Sequence, residues 1–382
     1  MTVLQDLTTA GRSALSAFRA TWAGLAPRRA QATNHRIADC HLPLSQRYFV
    51  TTDRGLYRIE PDGLFKLLDL PLYGIAADDR HLYLALMLGR RSVLVRGALA
   101  PFLGGGGSPR FEEILTVDLN STNERLHALW LGSGDLWVAN TARNSLLRIS
   151  RDDLSDREEF VPFSDRFGHR LLHDINHING ISEYEGIVLF SAYRAGKQAL
   201  IGVLDGKDVT GYGYPNVGIH DIYLGGKGFA FCDTFGPAGA AGRGAVITAE
   251  GLLDAEYFNR GAGYVVRGLA GNAGELLIGH SHKGNRRQRF GGHGSLLLAC
   301  DGRIVGEQGV EAAQVYQIMT CTGEFLGPRP VAVSAEGIHR MLRQQLGAPV
   351  YQAEALALPA SSAIPQGLPS ADDTTPQSGG TA

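Results

Sequence analysis

Two histidines, an asparagine, an arginine and a tyrosine hold equivalent places in five copies of one phrase. Each copy reads polar residue, small residue, aliphatic residue, and a short apolar strand opens eight positions after the polar one. The copies begin Tyr73-Gly74-Ile75, His127-Ala128-Leu129, Asn179-Gly180-Ile181, His220-Asp221-Ile222 and Arg267-Gly268-Leu269. Imidazole is the commonest metal ligand near neutral pH. Two or three imidazoles from different repeats, aimed at one axis, can hold a divalent ion (zinc, iron or manganese). Open positions on that ion polarise a substrate oxygen or acidify a water. His127, His220, Asn179 and His177 are the expected ligands. His177 stands two residues before Asn179 and so faces the same side of its strand.

The neighbouring chemistry follows from residue type. Arg267 can clamp a carboxylate through two parallel hydrogen bonds. Tyr73 and His280 are the expected proton carriers. Arg286, Arg287, His282 and His173 are the expected substrate contacts, because they sit in polar segments beside the repeats. A plainer reading stands beside each assignment. A histidine at a strand start is commonly structural, and an arginine run is commonly a solvated loop.

These residues need elements to position them. Lead positions 73, 127, 179, 220 and 267 recur every 40 to 55 residues or so. Several short strands per unit at such a period predict an all-β fold, a six-bladed β-propeller. The units span about 35–70, 72–120, 126–163, 177–212, 218–260 and 265–310. The inner strand of the first unit has two claimants, His35 to Cys40 and Val315 to Thr320, so seven blades is the alternative count. In this topology the start of each inner strand and the end of the next strand share one face. Asn140, Tyr193, Asp233 and His280 are expected there from the second strands. Eight of the twelve histidines map to that end.

The flanks differ from the repeats. Residues 1–33 carry Leu4, Leu7, Leu15, Phe18, Trp22 and Leu25 at roughly helical spacing, which predicts an amphipathic N-terminal helix. The propeller is expected over 35–327 and a helical extension over 328–358, with its pattern at Ala335 to Leu346. Residues 359–382 are rich in Pro, Ser, Gly and Thr and predict a disordered tail.

Bulk properties narrow the function. A net charge of −2 argues against a nucleic-acid surface. No apolar run is long enough for a membrane span. The N-terminus lacks the basic and apolar pattern of a secretory signal, and the four cysteines lack metal spacing, so a cytoplasmic protein is expected. There is no Gly-x-Ser-x-Gly nucleophile elbow. The run Gly104 to Gly107 lacks the Lys-Ser or Lys-Thr of a phosphate cradle.

Tyr73-Gly74-Ile75-Ala76 and Asn179-Gly180-Ile181 resemble inner strands of NHL-type and gluconolactonase/regucalcin-type propellers. That resemblance implies a divalent ion on the channel axis with Asn179 as a ligand. His127 and His220 depart from the pattern, since Asn and Asp stand there in that family. The set of His, Arg and Tyr looks more like the peptidyl-hydroxyglycine amidating lyases. This likeness implies zinc on His127 and His220, Arg267 for the substrate carboxylate and Tyr73 in catalysis. A third propeller class, the carotenoid-cleaving oxygenases, holds iron on four histidines. The sequence therefore reads as a metal-dependent lyase or hydrolase acting on a small organic molecule or modified peptide. A non-catalytic binding propeller and a non-haem iron oxygenase are the alternatives.

Overall fold

The computed structural model describes residues 34–359, apart from 90, 105–108, 119–124, 165–174, 196–197, 217, 226–227, 235–243, 261–263, 272–273, 283–291 and 324–332. The expected N-terminal helix, the tail beyond 359 and the expected contacts His173, Arg286 and Arg287 lie outside the described residues.

Six antiparallel sheets form the six blades of a β-propeller. The inner strands are Val315–Thr320, Leu72–Ala77, Leu126–Leu131, Ile178–Tyr184, Ile219–Gly225 and Tyr264–Gly271, taken from blade 1 to blade 6. Successive inner strands touch, and the circle closes from blade 6 through blade 1 to blade 2. Each blade then steps outward through hairpins, as in blade 3 from Leu126–Leu131 through Asp135–Asn140 and Ser145–Ser150 to Arg157–Val161. Both faces of an inner strand are covered, so these strands are buried along most of their length. Burial on both faces explains why their sequences read as mixed small and aliphatic runs with little polar alternation.

The rivalry for blade 1 is resolved by register. Val315–Thr320 pairs with Tyr48–Thr52 as the inner strand, and His35–Ala38 pairs with Gly63–Leu68 as the outermost one. Both ends of the propeller thus meet in one sheet. Its closure is reinforced where the buried Tyr48 hydroxyl donates to Glu275 of blade 6 at 2.6 Å.

The C-terminal extension is only partly helical. Helix Ala335–Leu346 is capped by Ser334, whose hydroxyl accepts from Gly337 N, and it buries Ile338 and Leu342. Two strands then follow that the sequence reading did not anticipate. Pro349–Glu354 adds a fifth strand to blade 4, and Leu356–Pro359 adds a fifth to blade 3. A buried/exposed alternation of six residues is too short to separate from a helix end by periodicity. No helix among the described residues is long and apolar enough to cross a membrane.

The closing strand supports a direct check. Ile318 is fully buried in it, whereas Val350 on the outermost strand of blade 4 is 58% exposed. Ile318→Ala should cost about 2–5 kcal/mol in equilibrium denaturation, and Val350→Ala should cost little. Equal losses would show that blade 1 is not the structural closure.

Candidate functional site

Every inner strand carries an extra residue at its lead position or, in blade 5, directly after it. The ladder slips at Tyr316, at Tyr73-Gly74, at His127-Ala128, at Asn179, at Asp221-Ile222 and at Arg267-Gly268. A β-bulge bends the strand and re-aims side chains. Here the bulges bring Tyr73, His127, Asn179, His220, Asp221, Arg267, Tyr316 and Gln317 to the wall of one recess on the axis. The recess is shallow, with a cavity volume of about 10 Å³, or about 260 Å³ when the open solvent at its mouth is included.

The floor is built from the residue after each lead position. Four blades place a small residue there, and Gly74 shows why: a Cβ would sit 2.4 Å from the carbonyl oxygen of His127. The other two blades use this position for cross-links. Gln317 Oε1 accepts from Ile75 N at 2.9 Å, and its Nε2 donates to Leu129 O at 3.0 Å. Asp221 accepts from Gly268 N at 2.7 Å and from the Tyr223 hydroxyl at 3.2 Å. The buried rings of Trp130, Tyr184 and Tyr223 pack together at 5.5–5.7 Å.

An aromatic collar surrounds the mouth. Ring centroids run from Tyr316 to Tyr73 (4.1 Å), Tyr73 to His127 (4.5 Å), His127 to His177 (4.9 Å), His177 to Tyr193 (5.5 Å) and Tyr193 to His220 (5.8 Å). His177 and Asp221 both hold the left-handed backbone conformation, with φ of 55° and 51°. Non-glycine residues adopt it at a cost, so their placement at the recess reflects local constraint.

Threonine hydroxyls fix the two imidazoles. His127 Nδ1 lies 2.7 Å from Thr141 Oγ1, and His220 Nδ1 lies 2.6 Å from Thr234 Oγ1. Thr141 donates to Ile178 O, and Thr234 donates to Val266 O at 3.5 Å. A hydroxyl has one proton, and the next blade's carbonyl takes it. The histidine Nδ1 must then be the donor. Burial first, and then the charges of His177 and Arg267, hold the His127 pKa well below its ordinary 6.5. Burial, Arg267 and His177 do the same to His220. Both rings are neutral at pH 7, with the lone pair on Nε2.

The two lone pairs have different fates. Asn179 Oδ1 accepts from the Ser191 hydroxyl at 2.7 Å, which turns its amide nitrogen to His220 Nε2 at 2.9 Å. The acceptor atoms of Asn179 and His220 are thus both spent. His127 Nε2 has no hydrogen-bond partner among the described residues. Among those residues no group of three His, Cys, Asp or Glu side chains gathers where an ion would sit.

Arg267 sets the electrostatics. Its field depresses both histidines and also reaches Asp221 and Tyr316. Its Nε is buried without a partner, and no described residue forms a hydrogen bond or ion pair with its guanidinium. Asp221 is pushed up to about 6, because burial outweighs the help from Gly268 N, Tyr223 and Arg267.

Three expected residues of the mouth face elsewhere. Asn140, Asp233 and His280 stand thirteen positions after their lead residues (127, 220 and 267), whereas the axis is faced by the fourteenth: Thr141, Tyr193, Thr234 and Ser281. A one-residue slip changes the face of a strand. His280 accordingly stacks on Tyr264 at 4.1 Å with its Nδ1 3.3 Å from Ser295 Oγ, outside the recess lining. His282, two residues on, lies 6.1 Å from the same Tyr264 ring. The sequence reading missed Asp221, Gln317 and the threonines. The shared interval of fourteen between His127 and Thr141, and between His220 and Thr234, was the available signal.

No protein-family model matches the chain, and no curated protein matches its sequence. Solved structures define its class as a β-propeller. A chain of a nidogen/laminin complex aligns with a TM-score of 0.50 at 12% identity, over 73% of this chain and 99% of that one. TolB from Acinetobacter baumannii aligns at 0.41 and 13%, over 72% and 67% of the two chains. A streptogramin B lyase aligns at 0.36 and 17%, over 64% and 69%. At such identities the likeness concerns the fold alone.

The buried acid and imidazoles give opposite pH signs. Asp221 is raised in the fold, so its contribution is full below 3.8 and is lost as pH rises through about 6. The histidines are depressed, so theirs is full above 6.5 and is lost as pH falls. Asp221→Asn removes the first and leaves the second. The stability of the variant relative to wild type should therefore rise by up to about 3 kcal/mol between pH 4 and pH 7.5 in urea titrations. A difference that does not change with pH would mean Asp221 is not held neutral.

Proposed function

We propose that the recess binds a small organic acid and acts on it by proton transfer, as a lyase or hydrolase. The observation that carries this reading is Arg267: a guanidinium whose Nε is buried and unpartnered, in a wall whose one acid, Asp221, already has both oxygens bonded to Gly268 N and Tyr223. Leaving such a donor unsatisfied costs about 1–3 kcal/mol or more, and a bound carboxylate removes that cost with charge-assisted hydrogen bonds. The same binding event tunes the neighbouring base. Arg267 helps to hold the His127 pKa down; an anion on Arg267 screens that field and raises the basicity of the imidazole. His127 Nε2, the open lone pair, then takes a proton from a substrate carbon, and Tyr73, stacked on it at 4.5 Å, gives one to the group on the adjacent carbon, which leaves as the carbon–carbon double bond forms.

A non-catalytic binding propeller is the second reading. The Asn179–His220 pairing favours it, because those polar atoms are already satisfied within the protein. The metal-dependent form of the enzyme reading rests on the resemblance, and no step here passes through an ion.

Thermal shift with a simple carboxylate tests the proposal. Butyrate at about one hundred times its Kd should stabilise the wild type by about 2.7 kcal/mol, and Arg267→Gln should lose that gain while keeping its own fold. A wild type that butyrate leaves unchanged would overturn the reading. Elemental analysis beside His127→Ala bears on the ion: one equivalent of zinc, iron or manganese, lost in the variant, would contradict the metal-free account.

A further inference from the structure

Beside the collar lies a second guanidinium with no hydrogen-bond or ion-pair partner among the described residues. Arg125 precedes the inner strand of blade 3, and its carbonyl accepts from Thr141 N at 3.0 Å. Its guanidinium lies 5.9 Å from the centre of the Tyr73 ring, at the rim of the recess. Its Nη1 is buried with no hydrogen-bond partner, and no described residue forms an ion pair with it. Arg125 also adds to the depression of the His127 pKa, after burial, His177 and Arg267.

Topology separates the two cations. Arg267 belongs to blade 6 and Arg125 to blade 3, which stand opposite each other in a ring of six. Between them lie Tyr73, Tyr316, His127, Asn179 and His220. These offer ring faces and amide or imidazole nitrogen and carry no charge on either histidine at pH 7. The one acid in the wall, Asp221, has both oxygens engaged by Gly268 N and Tyr223 on the floor. It forms no ion pair with either arginine among the described residues.

We infer that the ligand is a short dicarboxylate, with one carboxylate on Arg267, the other on Arg125, and its carbon chain across the neutral collar. The inference rests on the organic-acid reading above and extends it, since a single carboxylate on Arg267 leaves Arg125 unsatisfied. A compact dianion has both charges at one point and serves one pole only.

Calorimetric titration of the full chain with succinate, butyrate and inorganic phosphate separates the outcomes. Succinate should bind at least about tenfold more tightly than butyrate, as one added charge-assisted pair provides. Arg125→Gln should bring succinate down to the butyrate level and leave butyrate affinity unchanged. Arg125→Lys, which keeps the charge but not the planar fork, should fall between; it replaces the glutamine variant if that one does not fold. Butyrate and succinate binding equally to wild type would overturn the two-pole inference while the organic-acid reading stands. Phosphate matching succinate would also overturn it. Failure of all three to bind would overturn both.

Discussion

Six inner strands converge on one axis, and each must admit an extra residue where they crowd most. That shared bulge is the constraint on which the site depends. It takes the axial residue out of the ladder in five blades and follows directly after His220 in blade 5, which makes a polar ring from strands otherwise buried on both sides. The next residue then has little room. Gly74, Ala128, Gly180 and Gly268 answer with small side chains, and Asp221 and Gln317 answer by bonding to neighbouring blades.

The ring gains its chemistry from how its hydrogen bonds are shared out. Each threonine hydroxyl gives its proton to the next blade, so it can only accept from the imidazole behind it. Inter-blade cohesion and histidine tautomer are therefore set by the same bond. Burial and Arg267 keep the rings neutral. The result is a recess with two neutral imidazoles, an acid already bonded on the floor and two guanidiniums whose bonds are incomplete. Arg125 and Arg267 are the incomplete places.

Much of this was legible in the sequence because the repeat aligned the chain with itself. Tyr73, His127, Asn179, His220 and Arg267 were singled out by position, and the structure gathers all five around the recess. The count of six blades followed from the same spacing. What stayed hidden has physical causes. Tyr316 lies on the closing strand, one of the two claimants for blade 1, and its partner strand is more than 260 positions away, as Thr51 and Gln317 show, so its place beside the five lead residues was not assigned. His280 was assigned to the mouth because the bulge shifts which residue of the second strand faces inward, and a bulge leaves no simple mark in a period-2 pattern. The two added C-terminal strands are too short and too exposed for their alternation to stand out.

The account stands or falls on whether Arg267 is an open anion site. Anomalous diffraction from crystals grown at pH 7 and soaked in bromide measures this directly. The account predicts a bromide peak on the axis within about 3.5 Å of the Arg267 guanidinium, the reach of a hydrogen bond to an anion. A protein carboxylate paired with Arg267, and no peak, would contradict it.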